Sequence, residues 1–309
     1  MGRIAAICIS EKKGTVKKEV ERCVLKEDYG LEGDAHAGSE RQVSLLSYEK
    51  TEEFRNKIRN SGNGSGAEAK IVPGVFGENL LVKGYDLSSM SVGTKFIVGD
   101  ALLEIMQIGK SCHSGCEISK VTGECIMPQN GVFARVLKGG EIGRGDEIKR
   151  VYSTAVITAS DRSYRKERED KSGPLISEIA GNAGYMVEEQ VLLPDDEDMI
   201  YEELVRISDK VRPDVIFTTG GTGFAERDRM PEATMRAGTR NAPGIAEALR
   251  AYSMSITPRA MFSRAVSVIR GKTLIINLPG SPKAVRECLD YLLPVLEHGL
   301  LILKGEADG

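Results

Sequence analysis

Hydrophobic positions change their rhythm near the middle of the chain. Before about residue 150, apolar residues come in short β-forming runs bounded by glycine turns, which predicts strands at Ile4 to Ile9, Val43 to Leu46, Asn79 to Val82, Lys95 to Val98 and Ala101 to Ile108. Gly99-Asp100 falls where a hairpin turn belongs. One helix interrupts the pattern, from Ser47 to about Arg59, and Asn60-Ser61-Gly62-Asn63-Gly64-Ser65-Gly66 after it is a flexible loop by composition. These elements predict a mainly β domain, a barrel or sandwich, with any function on its loops.

Gly143 to Arg150 closes that pattern, and Thr154 to Thr158 opens a second one with little room for a linker. From there strands and helices alternate. Ser172 is placed to cap a helix whose first position is near Pro174, with Leu175, Ile176, Ile179, Ala180 and Ala183 on one face and Gly184 at the stop. A strand through Val191 follows, then a helix with Met199, Ile200, Leu204, Ile207 and Val211 inward, ended by Pro213. Further strands lie at Asp214 to Phe217 and Thr273 to Asn277, and a helix runs from Pro282 to Leu301. The reading is two domains, residues 1–150 mainly β and 151–309 a mostly parallel sheet covered by helices, with ligand loops at the strand carboxyl ends.

Composition adds limits. The 309 residues exceed a usual single domain, and either half can bury a core. A net charge of −3 with interspersed signs gives no bulk-charge surface for nucleic acid or membrane. No window approaches a membrane span and the start lacks a secretory apolar region, so a soluble cytoplasmic protein is expected. Five of the six cysteines (Cys8, Cys23, Cys112, Cys116, Cys125) lie in the first half and Cys288 in the second; in a reducing compartment such a cluster reads as reactive or metal-binding before disulfide-bonded.

The strongest chemical signal is Thr218-Thr219-Gly220-Gly221-Thr222-Gly223, a turn leaving a buried strand, with Glu226-Arg227-Asp228 behind it. Glycines let the backbone approach a ligand and let peptide N–H groups converge on a phosphate; the threonine hydroxyls add donors, and Asp228 can hold a metal bridging phosphate oxygens. A tight turn at a sheet edge is the alternative reading. The stretch is neither a P-loop nor a dinucleotide fingerprint, so motif logic stops at anion binding. Two more acidic loops, Asp161 to Asp170 and Pro194-Asp195-Asp196, fall on the same predicted edge, as metal-assisted phosphoryl or nucleotidyl transfer would use. Leu278-Pro279-Gly280-Ser281-Pro282-Lys283 opens the last helix and offers an anion site at a helix N-terminus, and Met261 to Ala265 offers a cation and a hydroxyl in Arg264 and Ser263.

Three places in the first half carry candidate chemistry. Asp34 and His36, between glycines, read as a general base or ligand pair or as a turn with a solvated histidine. Gly74 to Leu80 reads as a β-turn with a buried Phe76 before the polar pair Glu78-Asn79. Cys112-His113-Ser114-Gly115-Cys116 with Cys125 fits no standard zinc spacing, and a thiolate activated by a neighbouring imidazole or Lys110 is the functional reading beside inert buried cysteines.

Gly33-Asp34-Ala35-His36, Arg41 to Leu46, Gly77-Glu78-Asn79-Leu80 and the cysteine loop together resemble the MOSC domain, the molybdenum-cofactor-sulfurase C-terminal type. That resemblance implies a β-barrel-like domain that binds the molybdenum cofactor or carries sulfur on a cysteine, here Cys116, although Ser114-Gly115 stands where many relatives have an Arg or Pro context. Asp170-Lys171-Ser172-Gly173-Pro174, Thr219 to Gly223, Arg227-Asp228, Pro231-Glu232-Ala233-Thr234 and Asn277 to Pro282 resemble the molybdopterin adenylyltransferase family, which includes a catalytic domain of gephyrin. That second resemblance implies a three-layer α/β/α fold, a trimer, and adenylylation of molybdopterin by ATP with Mg²⁺. It places the essential acids and the metal at Asp195 and Asp228. Pterin and phosphate contacts fall on Asp170, Ser172, Gly173, Thr219, Gly220, Gly221, Thr222, Gly223, Pro279, Gly280 and Ser281. A molybdenum-insertion protein or a molybdoenzyme is the implied protein partner. Phe224 replaces a usual Pro, and Arg229-Met230 an apolar-Thr pair; both are expected at the substrate edge. The rival readings are a non-catalytic molybdopterin carrier or scaffold, and a nucleotide hydrolase on the related competence-damage fold.

Overall fold

The computed structural model describes residues 2–60, 67–111 and 124–307. The chain divides into two compact units, Met1–Val151 and Tyr152–Gly309, and passes from one to the other within the strand Glu147–Ala159.

In the first unit the predicted strands appear as Gly2–Ile9, Val43–Ser47, Leu80–Lys83, Lys95–Val98 and Ala101–Ile108, and the predicted helix as Tyr48–Asn60. Val132–Lys138 joins the same mixed sheet between Ala101–Ile108 and Val43–Ser47, a strand whose apolar pattern is broken by Arg135. Val43–Ser47 pairs in parallel with Leu80–Lys83, the exception among otherwise antiparallel neighbours. Gly2–Ile9 pairs with Leu80–Lys83 on one side and, through Gly2 with Ile148 and Arg3 with Glu147, with the start of the boundary strand on the other. A small second sheet is made of Arg22–Lys26, Gly30–Leu31 and Gly140–Gly143. The core of this unit centres on Ile4, Ile7, Leu45, Leu80, Val82, Phe96, Leu103 and Val136, all fully or nearly fully buried.

In the second unit the strand order is Tyr185–Leu193, the boundary strand, Val215–Thr219, Thr273–Leu278, Ser267–Arg270 and Arg240–Asn241. The first four run parallel, and the last two are antiparallel. Neighbouring strand residues alternate between two cores. Val156, Phe217 and Ile276 face a cluster with Ile176, Val285, Leu289 and Leu292, while Ile157, Ile216 and Ile275 face one with Ile200, Leu204, Met230 and Ala233. Helices Ser172–Asn182, Pro243–Ile256 and Pro282–Lys304 supply the first cluster, and Glu197–Arg206 with Met230–Ala237 the second. A parallel sheet buried on both faces makes a three-layer α/β/α arrangement. Among the described residues no helix is long and apolar enough to cross a membrane.

Three local expectations need correcting. Ser172 is not a helix cap: Asp170 Oδ1 accepts from the backbone N–H of both Ser172 (3.0 Å) and Gly173 (3.1 Å), so the carboxylate two residues earlier satisfies the orphan donors. Met199 is 40 % exposed, because Asp196 caps the helix at Glu197 and this sets Ile200, Leu204 and Ile207 inward instead. Ala183 lies exposed beyond the last helical residue.

Candidate functional site

Four loops leave the carboxyl ends of the parallel strands and meet around a cleft of about 770 Å³. Its wall includes Asp170, Ser172, Asp195, Thr219, Gly220, Gly221, Asp228, Gly280 and Ser281, so most of the residues expected from sequence come together there. Thr222, Gly223 and Pro279 line a neighbouring cavity of about 360 Å³, which Ser281 also reaches. Gly173 lines neither; a Cβ there would stand 2.4 Å from Thr158 Oγ1 and 2.5 Å from Asp170 Oδ2, so glycine is needed for packing.

The glycine turn has a similar steric cause. Gly220 has φ +90° and a Cβ would meet the Ala159 carbonyl oxygen at 2.1 Å, which excludes any other residue without a backbone shift. Gly221 has φ +59° and faces Asp195 Oδ1. Two of the threonine hydroxyls expected as ligand donors have partners within the protein: Thr219 Oγ1 donates to Pro279 O (2.6 Å), and Thr218 Oγ1 accepts from Asn277 Nδ2 (2.8 Å). Ser172 Oγ likewise donates to Gly280 O (2.9 Å). These bonds join the two turns and the start of Ser172–Asn182 into one rim.

Asp161 and Asp195 are linked reciprocally: Asp161 N donates to Asp195 Oδ2 (3.0 Å) and Asp195 N to Asp161 Oδ1 (3.1 Å). Burial pushes the Asp195 carboxyl up, and the negative charges of Asp161 and Asp228 add to this, against the Asp161 amide and Arg227, which lower it. Asp228 closes its own loop by accepting from Ala225 N at Oδ2 (3.0 Å). Asp196 stays outside the cleft as the cap of Glu197–Arg206.

Arg264 is not a free cation for ligand. Its guanidinium donates to Gly223 O (2.7 Å), Asp228 O and the Glu232 carboxylate, and its backbone N–H donates to Thr222 O (2.9 Å). Burial would raise the Glu232 carboxyl, but the Arg264 hydrogen bond and charge hold it below the usual range. Lys283 pairs with Glu287 and does not line the cleft. The cations that do line it are Arg162, Arg168, Lys171 and Arg227. Arg162 and Arg168 lie in the loop Asp161 to Asp170, noted in the sequence for its acids, Lys171 follows it, and Arg227 stands beside Asp228 in the sequence motif.

In the first unit Asp34 is buried and fully used. It pairs with Lys17 Nζ (2.8 Å) and His36 Nδ1 (3.3 Å) and accepts from Ser10 N and His36 N. Burial works against its charge, yet these partners hold the carboxyl well below the usual range, so it is an anchor and not a free base. Lys17, itself pushed down by burial, gave no sequence signal. Lys17, His36, Arg41 and Lys110 line a small cavity of about 150 Å³ beside Phe133. Glu78 anchors its turn by accepting from Gly74 N (2.6 Å) and Phe76 N (3.1 Å); burial pushes it to about 7. Cys8, Cys23, Cys125 and Cys288 carry free thiols, and burial pushes the Cys8 thiol up. Cys112, His113 and Cys116 lie outside the described residues.

The probable molybdopterin binding domain model matches residues 155–298, and the MOSC domain model residues 32–149. A molybdopterin adenylyltransferase of Helicobacter pylori strain J99 is 38% identical over 154 residues, 48% of this chain and 86% of that protein. The chain belongs to the molybdopterin adenylyltransferase family. The Escherichia coli K12 molybdopterin adenylyltransferase is 37% identical over 152 residues, 47% of this chain and 77% of that protein. The solved molybdopterin biosynthesis enzyme MoaB of Thermus thermophilus shares 43% identity, covering 50% of this chain and 97% of that one, with a TM-score of 0.48.

Within this molybdopterin adenylyltransferase family member the two departures from the family pattern separate. Met230 is fully buried behind the glycine turn, its N–H donating to Gly221 O (3.2 Å), so it does not form a substrate edge. Phe224 stands 69 % exposed.

Proposed function

We propose that the second unit transfers the adenylyl group of ATP to molybdopterin in molybdenum cofactor biosynthesis. The observation that carries this reading is the convergence of Asp195, Asp228, the Gly220–Gly221 turn and the start of the helix Pro282–Lys304 on one cleft. A terminal phosphate oxygen of molybdopterin attacks the α-phosphorus of ATP, the bond from that phosphorus to the bridging oxygen breaks, and pyrophosphate leaves. The glycine turn and the helix start offer N–H donors and the positive end of a dipole to the phosphates, and Arg162, Arg168, Lys171 and Arg227 add charge.

The donor set fits a magnesium ion. Asp195 and Asp228 each spend one carboxylate oxygen on a backbone N–H, and burial first, then the charges of Asp161 and Asp228, push the Asp195 carboxyl up, a cost that a bound cation would relieve. Two carboxylates are the complement expected of an ion held by one or two acids together with substrate phosphates. When bound, the ion would neutralise the charge on the phosphates and the leaving pyrophosphate.

For the first unit we infer cofactor handling, with Cys116 as the sulfur-carrying candidate. The pairing of Gly2 and Arg3 with Ile148 and Glu147 supports a barrel architecture for it. A trimer and a cytoplasmic location belong to the same reading.

Pterin-dependent release of pyrophosphate from Mg-ATP, with the adenylylated pterin followed directly, tests the proposal. Asp228→Ala is expected to abolish turnover and keep pterin binding. Unchanged turnover would remove Asp228 from the site, and tight pterin binding without any release by the parent chain would make the protein a carrier.

A further inference from the structure

The cleft described above leaves unused the most exposed pair of aromatic rings in the second unit. Phe224 directly follows the glycine turn and is 69 % exposed; Phe262 ends the short turn Pro258–Phe262 and is 52 % exposed. The two rings meet edge to face with centroids 5.5 Å apart. Phe262 also forms part of the wall of the 360 Å³ cavity, beside the apolar side chains Leu249 and Ala265, whereas Phe224 lines a separate space with Asp228, Arg229 and Arg264.

That cavity is joined to the proposed reaction centre by the chain itself. Gly220 and Gly221 face the acidic cleft, the next two residues, Thr222 and Gly223, face the cavity, and Ser281 borders both. A ligand with phosphate on one side of the turn and a flat ring on the other would occupy both spaces. Two cations stand on that wall, Arg259 and Arg250, the second committed to Ser263 O and Ala265 O, together with the Glu287 carboxylate. Such a wall, in which an aromatic face stands beside hydrogen-bonding side chains, suits a planar nitrogen heterocycle.

We propose that Phe262, braced edge to face by Phe224, is the stacking ring for the fused heterocycle of one substrate, the purine of ATP or the pterin of molybdopterin. The assignment rests on the adenylyl-transfer reading of the neighbouring cleft. It makes Phe224, where this chain departs from the family pattern, a positioning residue.

The chain contains no tryptophan, so Phe262→Trp installs a single emission probe in the full-length protein. Saturable quenching of that probe by Mg-ATP assigns the purine, and quenching by 6-hydroxymethylpterin assigns the pterin. Quenching by neither overturns the proposal, and this readout needs no turnover, so it stands apart from any failure of the adenylyl-transfer reading. In turnover assays the double variant Phe224→Ala, Phe262→Ala is expected to raise KM for the matching substrate about tenfold and to leave KM for the other within twofold. Phe224→Tyr in the parent, which keeps the ring, should leave both KM values unchanged. A double variant that keeps both KM values but sediments as a smaller particle would instead make the pair a contact between copies, and the proposal would be wrong.

Discussion

Replacing Arg264 by lysine keeps the charge and removes the fork. In the parent, one guanidinium holds Gly223 O, Asp228 O and the Glu232 carboxylate at once. A lysine ammonium is a point charge on a flexible stem; it can pair with Glu232 but does not reach both carbonyls in the same geometry. Hydrogen bonds to charged groups are worth about 1.5–3 kcal/mol each. The Arg264 side chain is 33 % exposed, so solvent screening reduces the joint loss of the two carbonyl contacts to about 2 kcal/mol. If that loss falls on the placement of the glycine turn and Asp228, kcat/KM for pterin-dependent pyrophosphate release drops about 30-fold. Thermal melting of the same variant shows how much of the loss is global. A variant whose kcat/KM stays within threefold of the parent would refute the view that Arg264 positions the site.

Glu78 makes stability depend on pH in the first unit. Its folded pKa of about 7 lies above its ordinary 4.5, so the folded state binds the extra proton; this group's contribution to stability is full below 4.5 and is lost as pH rises to 7, by about 3 kcal/mol. In Glu78→Gln this slope should be absent from melting curves taken across that range. Gly220→Ala is expected to cost at least about 2 kcal/mol from the left-handed backbone alone, with activity lost, whereas Gly181→Ala on an open helix surface should leave the protein as stable or up to about 1 kcal/mol more so; circular dichroism melts compare the two. Asp195→Asn should melt at a higher temperature than the parent at neutral pH while losing turnover. Because burial and its neighbours raise this carboxyl, the ionised form is the one the fold resists, and the gain should shrink as pH falls through the range where Asp195 takes up a proton.

The strands of the parallel sheet were legible because Val215–Thr219 and Thr273–Leu278 are buried on both faces and read as continuous apolar runs. The glycine turn was legible because its residue type follows from backbone geometry. Side-chain commitments were not. Thr219 looks like a free donor in sequence, and only the approach of the Pro279 carbonyl from a turn 60 positions away engages it. Arg264 looked like a ligand cation for the same reason, since its acceptors lie 32 to 41 positions earlier. Lys17 and Asp34 are separated by a loop, and nothing local in either says that they meet in the interior. Local patterns report which face of an element is apolar; they do not report which polar groups meet across elements.

Asp161, Asp195 and Asp228 crowd one end of the sheet, and Arg227 offsets part of the effect on Asp195. On the proposed adenylyl-transfer reading, a library screened for heat resistance alone would enrich neutral residues at position 195, and its survivors would be well folded and inert. On that reading the acid is kept for chemistry, so sequence drift at this corner would separate lineages that use the cleft from those that merely keep the fold.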